Sequence, residues 1–559
     1  MDVLIFMGAS AAFIYSLYGG LILGNSNYLF FETTASIITL VLIGNFIETK
    51  TVKKTRSAIE SLIHLQPSKA KLIDFYGDRF EVVREMEASD LKKGDCILIN
   101  TGDRIAADGK VVFGNGTVDE SLMTGESLPQ EKSLHASLMA GTVVMSGSFK
   151  MRVENSVDES TLQQIVSMVE NALSNKPHIQ KIADKITAVF VPVVLLLALL
   201  TFIVSFLGFN ISFSNSLMHA IAVLVISCPC AMGLATPTAI LVGMSRAAKK
   251  GILLNGSTTL EMFSGIKQLV FDKTGTLTTG KFKIGKIKTN LISEQTCREI
   301  IFALEKHSSH PIAKSLVEEL KLSAHFELTD VKEDKGMGMS GYDTMGNFYQ
   351  LGSASILNQT PSDNFDLYLL QNKILIASLQ ITDDIKPEAP GAISKLKQAG
   401  IECILLSGDS EYKCRDLADK LGIQKVFSQK LPAEKLAIIS ALSKEKITAM
   451  IGDGINDAPS LSRAHIGISM SESSQVAIQS AQVILMNGNL SLLISALNIS
   501  KATLKTIHQN LFWAFFYNVI AIPLAAFGFL SPMIASLSMA FSDVIVIGNS
   551  IRLQFKKLL

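Results

Sequence analysis

The stretch that decides the fold is QLVFDKTGT, at residues 268–276. Its apolar run ends at an acidic residue, Asp272, and two later apolar runs end in the same way, at Asp409 and at Asp453. Helical patterns lie among these runs, at residues 387–398 and 433–442. Strands that alternate with helices predict a doubly wound parallel sheet, and the ligands of such a sheet bind beyond the carboxyl ends of its strands.

The charged side chains predicted at that edge suit phosphoryl transfer. Asp272 is a carboxylate that can attack a phosphoryl group and become an aspartyl-phosphate. Asp453 and Asp457, in the segment GDGIND, add the carboxylates needed to hold Mg²⁺. Lys435 is placed to offset charge on the phosphoryl group. Hydroxyl and amide donors come from Ser407, Gly408 and Asp409. Any one of these residues could be a helix cap or a turn, but the ordered set predicts a phosphorylation site.

The distribution of charge separates membrane segments from water-facing ones. Hydrophobic residues make up 48% of the chain and charged residues 18%, which is typical of membrane proteins. The net charge of +1 argues against a nucleic-acid binder. Charge is absent from residues 3–31, 186–218, 220–245 and 509–542, and the last window is long enough to cross a bilayer twice. With a shorter apolar run at 33–47, the sequence predicts six spans in three hairpins.

Lysine and arginine cluster on one side of these spans. They follow the second and fourth spans, precede the fifth and follow the sixth, whereas the three hairpin tips carry none. The positive-inside rule then places both large loops and the C-terminus in the cytoplasm.

The predicted domains follow from these spans and from the changes of pattern between them. The sequence between the second and third spans is β-rich, and a third domain interrupts the doubly wound sheet. The predicted units are a membrane hairpin (1–48), a β-rich domain (49–185), a second hairpin (186–246), the doubly wound domain (247–285 and 385–500), its inserted domain (286–384) and a last hairpin (501–559).

Two of the six cysteines lie in the middle of the fourth span, as Cys228-Pro229-Cys230. Proline removes a backbone donor and opens the helix, which costs stability unless the opening is used. A lone buried cysteine is usually a small apolar residue, but two thiolates beside a kink suit a soft cation. The pattern therefore predicts a soft-metal site inside the membrane.

Together, DKTGT at 272–276 and GDGIND at 452–457 resemble the P-type ATPases of the haloacid dehalogenase superfamily. The resemblance implies that Asp272, Lys273 and Thr274 are catalytic, and that Asp272, Thr274, Asp453 and Asp457 hold Mg²⁺. Soluble phosphatases of that superfamily place a general acid two residues after the nucleophile, where this chain has Thr274. An aspartyl-phosphate here should therefore hydrolyse slowly, as a pump requires. The loop TGES at 124–127 resembles the dephosphorylation loop of the family, so the β-rich unit is expected to be an actuator domain in which Glu126 positions the attacking water.

The inserted domain resembles the nucleotide-binding domain of the heavy-metal branch. This similarity implies that ATP is the cofactor and that Glu305 and His310 hold its adenine end. Gly336 and Gly338 would admit the phosphates, with Gly408 and Asp409 completing the nucleotide site. The departure is Gly352-Ser353, where the family commonly has Gly-Asn, and weaker nucleotide contact is expected there.

The Cys-Pro-Cys motif resembles the heavy-metal P-type ATPases in particular. In the last two spans, Tyr517, Asn518, Met539 and Ser542 match the copper subgroup, which implies that the transported ion is Cu(I) or Ag(I). Asp543 is the departure, because copper pumps typically have a second serine there. It leaves a Zn(II) or Cd(II) exporter as the alternative, since a buried carboxylate should face the transport path.

Similarity to copper pumps also implies a cytoplasmic route to the metal site and an exit from it. The route would use Met7, Glu48 and Asp184, with Glu32 near the exit, although each could be a packing or boundary residue. Relatives usually have two further spans and a Cys-x-x-Cys domain before the position where this chain begins, so a non-transporting remnant that binds ATP and metal is a further alternative. The resemblance implies a bacterial inner-membrane protein with cytoplasmic domains, a copper chaperone as partner and a monomer.

Overall fold

The computed structural model of the 559-residue chain describes most of the sequence. The described residues are 2–21, 30–63, 67–76, 80–120, 129–160, 162–163, 177–227, 230–308, 310–320, 326–334, 337–357, 365–452, 457–470, 480–486 and 488–556.

The helices of the described residues fall into long apolar ones and short amphipathic ones. In chain order they are α1 (Asp2–Leu21), α2 (Phe31–Ile63), α3 (His178–Ile203), α4 (Phe213–Ile226), α5 (Cys230–Ala248), α6 (Ser257–Ser264), α7 (Glu294–Glu305), α8 (Pro311–Leu320), α9 (Ala389–Gln398), α10 (Glu411–Leu421), α11 (Pro432–Glu445), α12 (Ala458–Arg463), α13 (Leu492–Ala526) and α14 (Pro532–Phe555).

The strands belong to three separate sheets. In chain order they are β1 (Lys69–Tyr76), β2 (Phe80–Glu87), β3 (Cys96–Asn100), β4 (Gly109–Asp119), β5 (Gln130–Lys132), β6 (Ser137–Leu138), β7 (Val143–Val153), β8 (Ile252–Leu254), β9 (Gln268–Phe271), β10 (Thr278–Thr289), β11 (Leu328–Asp334), β12 (Gly338–Asp343), β13 (Phe348–Gly352), β14 (Leu367–Gln371), β15 (Ile374–Ile385), β16 (Glu402–Leu406), β17 (Lys425–Phe427), β18 (Thr448–Ile451), β19 (Ile466–Met470) and β20 (Val483–Leu485).

Five helical segments in the described part of the chain are long and apolar enough to cross a membrane. They are Val3–Leu21, His178–Gly208, Phe213–Ala248, Leu492–Ala526 and Pro532–Phe555. The sixth predicted span, at 33–47, lies within α2, where the described side chains give an apolar stretch at Phe31–Ile43 and the surroundings of position 44 are outside the described part. Because α2 runs on through charged residues to Ile63, it continues into the β-rich domain past the predicted boundary at 48.

The fourth span is divided between two helices. Within the segment Phe213–Ala248, α4 ends at Ile226 and α5 begins at Cys230. Cys228 and Pro229, between these two helices, lie outside the described residues. Most of the segment is buried in the bundle, so α4 and α5 form its centre.

The β-rich domain between α2 and α3 is a seven-stranded antiparallel sheet. Its strands follow the order β2-β1-β3-β7-β4-β5, with β6 beside β4. Alternate residues of β4 and β7 point into a core that includes Val111, Phe149 and Met151. The chain that joins β4 to β5 includes residues 121–128, so the predicted loop with Glu126 lies outside the described residues.

The doubly wound domain has a seven-stranded sheet in the order β17-β16-β9-β18-β19-β20-β8. All its pairings are parallel except that of β20 with β8. The central strand β9 is buried on both faces, under α6 and α13 on one side and α11 on the other. Such two-sided burial accounts for the continuous apolar run LVF at residues 269–271.

The inserted domain is a six-stranded antiparallel sheet in the order β10-β15-β14-β13-β12-β11. Helices α7 and α8 cover one face, where Ile301, Leu304 and Leu316 are buried. Its outer strands extend from Thr278 to Ile385, a few residues beyond the predicted limits of 286 and 384. The inserted sheet is longer than predicted because β10 and β15, which form the two connections to the doubly wound domain, pair with each other.

Candidate functional site

The carboxyl ends of three neighbouring strands gather the predicted phosphorylation residues. Asp272 follows β9, Ser407 follows β16, and Gly452 follows β18. These strands are adjacent and parallel, in the order β16-β9-β18, so the residues after them share one edge. Asp457 begins α12 a few residues after β18 and is 3% exposed. Asp453 lies outside the described residues.

Lys435 links two of the described carboxylates of this edge. Its Nζ donates to Asp272 Oδ1 at 2.6 Å and to Asp457 Oδ1 at 2.9 Å. All three side chains are buried, and the lysine lies near the start of α11. Burial alone would lower the pKa of Lys435, but the charges and hydrogen bonds of the two carboxylates raise it above its ordinary value. The ammonium is therefore charged at neutral pH and holds the Asp272 carboxylate in place.

A second ion pair joins Lys273 to Asp409 across the same edge. Ser407 Oγ accepts a hydrogen bond from the backbone N–H of Asp409 at 3.2 Å, which fixes the turn after β16. Cys414, at the start of α10, lies against this turn, and burial raises the pKa of its thiol. The site therefore has two ammonium groups and three described carboxylates.

The chain turns sharply after Asp272. Gly275 has a φ of 69°, a conformation that glycine adopts readily, and the turn leads directly into β10. Thr274 stands two residues after Asp272, and its side chain lines the adjoining cavity. Thr276 is fully buried, and no hydrogen-bond partner for its hydroxyl is present among the described residues.

A cavity of about 1370 Å³ extends from this edge to the inserted domain. Lys273, Thr274 and Asp409 line its phosphorylation end, and Glu305, His310 and Gly338 line its far end. Four of the residues predicted from resemblance to hold a nucleotide therefore face one cavity: Glu305, His310, Gly338 and Asp409. Gly408 is exposed next to Asp409 but does not line the cavity, and Gly336 lies outside the described residues.

Glu305 is the buried acid of the far end. It closes α7, is 8% exposed, and makes no side-chain hydrogen bond to another described residue. Burial, and then the negative charge of Glu333, raise the pKa of Glu305 to about 7. Glu305 therefore titrates near neutral pH.

The other far-end residues shape the wall of the cavity. His310 Nδ1 accepts from the backbone N–H of Ile312 at 3.3 Å and so caps α8. Gly338 has a φ of 122°, and a Cβ there would overlap the carbonyl oxygen of Leu351 in the neighbouring strand. Glycine is required at this close approach of backbone to backbone. Ser353, the departure from the family, also lines the cavity.

In the membrane, four of the predicted metal-site residues are buried where α13 and α14 face α5. Asn518 is 1% exposed, Met539 2%, Asp543 6% and Ser542 8%. The Tyr517 side chain hydrogen-bonds with those of Ser542 and Asn518, and the Asp543 carboxylate lies close enough to act on it. Cys228 lies outside the described residues, as does the side chain of Cys230, whose backbone begins α5.

The predicted residues of the route to and from this site lie on three helices. Met7 on α1, Glu32 at the start of α2 and Asp184 near the start of α3 are exposed. The side chain of Glu48 on α2 lies outside the described part of the structure. These positions remain predictions as a route.

Comparisons with known proteins agree with this geometry. The sequence model of the P-type ATPase actuator domain matches residues 64–170, and that of the haloacid dehalogenase-like hydrolases matches residues 266–465. The whole chain is 37% identical to the "Probable copper-importing P-type ATPase A" of Enterococcus hirae, covering 78% of it. It is also 37% identical over its whole length to the "Copper-exporting P-type ATPase" of Staphylococcus saprophyticus, covering 72% of it.

The chain belongs to the heavy-metal P-type ATPases. Solved structures agree: that of a zinc-transporting PIB-type ATPase matches with a TM-score of 0.63 and 27% identity, over 98% of this chain and 90% of that one. A second structure of a zinc-transporting PIB-type ATPase, in another state, matches with a TM-score of 0.56, 28% identity and the same coverage. This heavy-metal ATPase is thus an ATP-hydrolysing membrane transporter, and in this family the large domains are cytoplasmic.

A polar network in the membrane domain of the ATPase was not predicted from the sequence. Asn510 on α13 is fully buried, and its Nδ2 donates to the Ala235 carbonyl on α5 at 3.1 Å and to Ser550 Oγ on α14 at 2.8 Å. Asn549 on α14 donates to Asn510 Oδ1 at 2.8 Å. An asparagine within an uncharged apolar stretch could have predicted this network, because a buried side-chain amide needs hydrogen-bond partners. The network ties together the three helices that carry the predicted metal site.

Proposed function

We propose that this ATPase exports a soft monovalent cation, Cu(I) by preference and Ag(I) as an analogue, through an aspartyl-phosphate formed on Asp272. The observation that carries the phosphorylation step is the bridge from Lys435 to Asp272 and Asp457. A nucleophilic carboxylate must approach a negatively charged phosphate, and an ammonium at 2.6 Å offsets that repulsion without moving.

Phosphoryl transfer at this edge forms one phosphorus–oxygen bond and breaks another. An Asp272 oxygen forms a bond to the γ-phosphorus of ATP while the bond to the bridging oxygen breaks, and ADP leaves with the electron pair. Lys435 stabilises the charge on the transferring group, and Lys273 lies beside the path of the phosphates.

Magnesium fits the donor set at this edge. Asp272 and Asp457 are buried carboxylates that meet at one lysine, and hard oxygen ligands are those that Mg²⁺ prefers. Bound there with Asp453 and Thr274, it would neutralise charge on the phosphate oxygens. Thr274 supplies no general acid, so water must be activated from elsewhere, and we assign that role to Glu126.

The choice of Cu(I) rests on the side chains around the metal path. The thioether of Met539 is buried beside the Tyr517, Asn518 and Ser542 cluster, and a thioether with two thiolates favours a soft cation. The relatives in Enterococcus hirae and Staphylococcus saprophyticus carry names that refer to copper. The name of the Staphylococcus saprophyticus relative refers to export and that of the Enterococcus hirae relative to import, and we propose export for this chain.

A divalent cation is the second candidate cargo, and one observation favours it. Asp543 is a carboxylate that is 6% exposed, one helical turn from Met539, and carboxylates suit harder ions. A solved structure of similar fold is that of a zinc-transporting ATPase.

The test is metal-stimulated ATP hydrolysis by the purified chain with Cu(I), Ag(I) or Zn(II), in the wild type, Asp543→Ser and Cys230→Ser. The proposal predicts stimulation by Cu(I) and Ag(I) in the wild type and in Asp543→Ser, and its loss in Cys230→Ser. Stimulation by Zn(II) alone, abolished in Asp543→Ser, would establish the divalent alternative. Absence of stimulation by any of the three metals would contradict the export proposal.

A further inference from the structure

The far end of the nucleotide cavity contains two acidic residues that the phosphorylation chemistry does not use. Glu305 ends α7, and Glu333 lies on β11 next to the strand that begins at Gly338. Both line the same cavity. Glu333 pairs in the sheet with Met339, which is buried in the core beneath α7. The fold therefore places a second, exposed carboxylate on the same cavity as the buried one.

The other charged groups around Glu305 do not act on it in the same way. Lys306 and His307 follow it along the chain, His310 caps α8, and Lys286 on β10 and Asp334 on β11 lie elsewhere along the cavity. Among the charges of the elements packed on α7, that of Glu333 acts on the Glu305 carboxyl. Lys332, next to Glu333, is 2.9 Å from Asp330 instead.

The chemistry of the purine edge distinguishes the two forms of a carboxyl group. A neutral carboxylic acid donates through its O–H and accepts through its C=O, which matches N1 and the 6-amino group of adenine. An ionised carboxylate only accepts, which matches the N1–H and 2-amino donors of guanine. A buried acid that faces a purine therefore selects the base according to whether it holds its proton.

We propose that burial, together with the neighbouring charge of Glu333, keeps a proton on Glu305, and that this proton makes the nucleotide site selective for adenine over guanine. The inference rests on the proposed nucleotide site, and it assigns to Glu333 a specificity role that acts through Glu305. Its geometric basis is an acid that is 8% exposed, has no hydrogen bond to another described residue, and faces a cavity shared with a second carboxylate.

The position of the titration agrees with this arrangement. Burial first, and then the charge of Glu333, raise the pKa of Glu305 to about 7. A group with that pKa passes from mostly neutral at pH 6 to mostly ionised at pH 8. The selectivity for adenine should therefore be high at pH 6 and decline through neutral pH.

The experiment measures the dissociation constants of ATP and GTP on the full-length chain in the Asp272→Asn background, at pH 6, 7 and 8. The readout is the ratio of the two constants, because both nucleotides carry the same triphosphate and its own titration cancels. The wild-type preference for ATP should fall about 100-fold from pH 6 to pH 8, because the neutral fraction of Glu305 that suits adenine falls about tenfold while the ionised fraction that suits guanine rises about tenfold. Glu333→Gln should move that fall to lower pH.

Two further variants make the result specific. A glutamine at position 305 has one donor and one acceptor at every pH, so Glu305→Gln should show an ATP preference that no longer changes with pH. Asp330→Asn removes another carboxylate of β11, one that faces Lys332, and should leave the wild-type profile in place.

The outcomes separate the two proposals. A pH-independent preference in the wild type, or a profile that Glu333→Gln does not shift, would overturn the role of the proton while ATP binding remained. A loss of ATP preference at every pH in Glu305→Gln would show that the ionised carboxylate recognises adenine, and would also overturn it. Absence of ATP binding at every pH would overturn the nucleotide site and this inference together.

Discussion

At the residue scale, the phosphorylation edge depends on one lysine. Lys435 is the described cation in contact with both Asp272 and Asp457, and its removal would leave two carboxylates facing each other in a buried place. Breaking a buried ion pair by removing one partner typically destabilises a protein by about 3–5 kcal/mol. Either the carboxylates take up a proton or the edge opens, and both responses weaken the nucleophile.

We therefore expect Lys435→Met to reduce the rate of phosphoenzyme formation by at least about 100-fold, the loss typical of one preorganised electrostatic group. The measurement is the rate of phosphate incorporation from ATP at pH 7. Lys430→Met, in the loop before the same helix, is the control and should react at the wild-type rate. An unchanged rate in Lys435→Met would contradict the role of the lysine.

The pH dependence of this bridge follows from its sign. The pKa of Lys435 is raised in the folded chain, so its stabilising effect is complete below the unfolded pKa and is lost only as pH rises through the folded value. Both values lie in the alkaline range. We therefore expect the Lys435 contribution to stability to be constant between pH 6 and pH 9.

The contribution of Glu305 to stability, unlike that of Lys435, changes near neutral pH, because the pKa of Glu305 is raised to about 7. Between about pH 4.3 and pH 7 the folded domain holds a proton on Glu305 that the unfolded chain has released. The free energy of unfolding is therefore highest below about pH 4.3 and declines as pH rises towards 7. Between pH 6 and pH 8 the domain should lose about 1.4 kcal/mol of local stability.

Hydrogen exchange of the α7 and β12 amides would test the Glu305 effect. Protection in the wild type should fall between pH 6 and pH 8 after correction for the intrinsic exchange rate, whereas protection in Glu305→Gln should not. Equal pH dependence in the two proteins would show that Glu305 is ionised throughout this range.

At the element scale, the transport helices pack closely at small residues. A Cβ at Gly243 on α5 would overlap Thr503 Oγ1 on α13 and approach its Cγ2 at 2.9 Å. This contact lies between the predicted metal site and the doubly wound domain, since α5 leads into β8 and α13 follows β20. The two helices therefore meet where movement of the cytoplasmic domain must reach the membrane.

Gly243→Ala should separate α5 from α13 and reduce metal-stimulated ATP hydrolysis, because the added methyl group has no space. Thr503→Ala removes the atoms that it would meet, so the double variant should recover most of the lost activity. The measurement is a double-mutant cycle on activity and on thermal stability. Additive effects of the two substitutions would show that the contact does not couple the helices.

At the scale of the whole molecule, structure could be predicted from the sequence where a pattern has one physical cause. The apolar run LVF at 269–271 ends at Asp272 because a strand buried on both faces is apolar until it reaches the edge of the sheet. Long uncharged stretches predicted membrane helices for a similar reason, because a helix that crosses the hydrocarbon core of a bilayer must be apolar. The family assignment, which joined these patterns, is confirmed by relatives that are 37% identical over the whole chain.

Other features depend on contacts that no local pattern contains. The effect of Glu333 on Glu305 arises because β11 and α7 meet only after the inserted sheet forms. The Asn510 network joins positions 275 and 40 residues apart.

The central claim is that the ATPase works through an aspartyl-phosphate on Asp272, and acid-stable phosphoenzyme formed from ATP labelled in the γ-phosphate tests it most directly. The purified chain would be exposed to Cu(I), quenched in acid and treated with hydroxylamine, with Asp272→Asn in parallel. Asp419→Asn, which changes an exposed carboxylate of α10, is the matched control. The account predicts a hydroxylamine-sensitive label in the wild type and in Asp419→Asn, and none in Asp272→Asn. A label that persists in Asp272→Asn would contradict it.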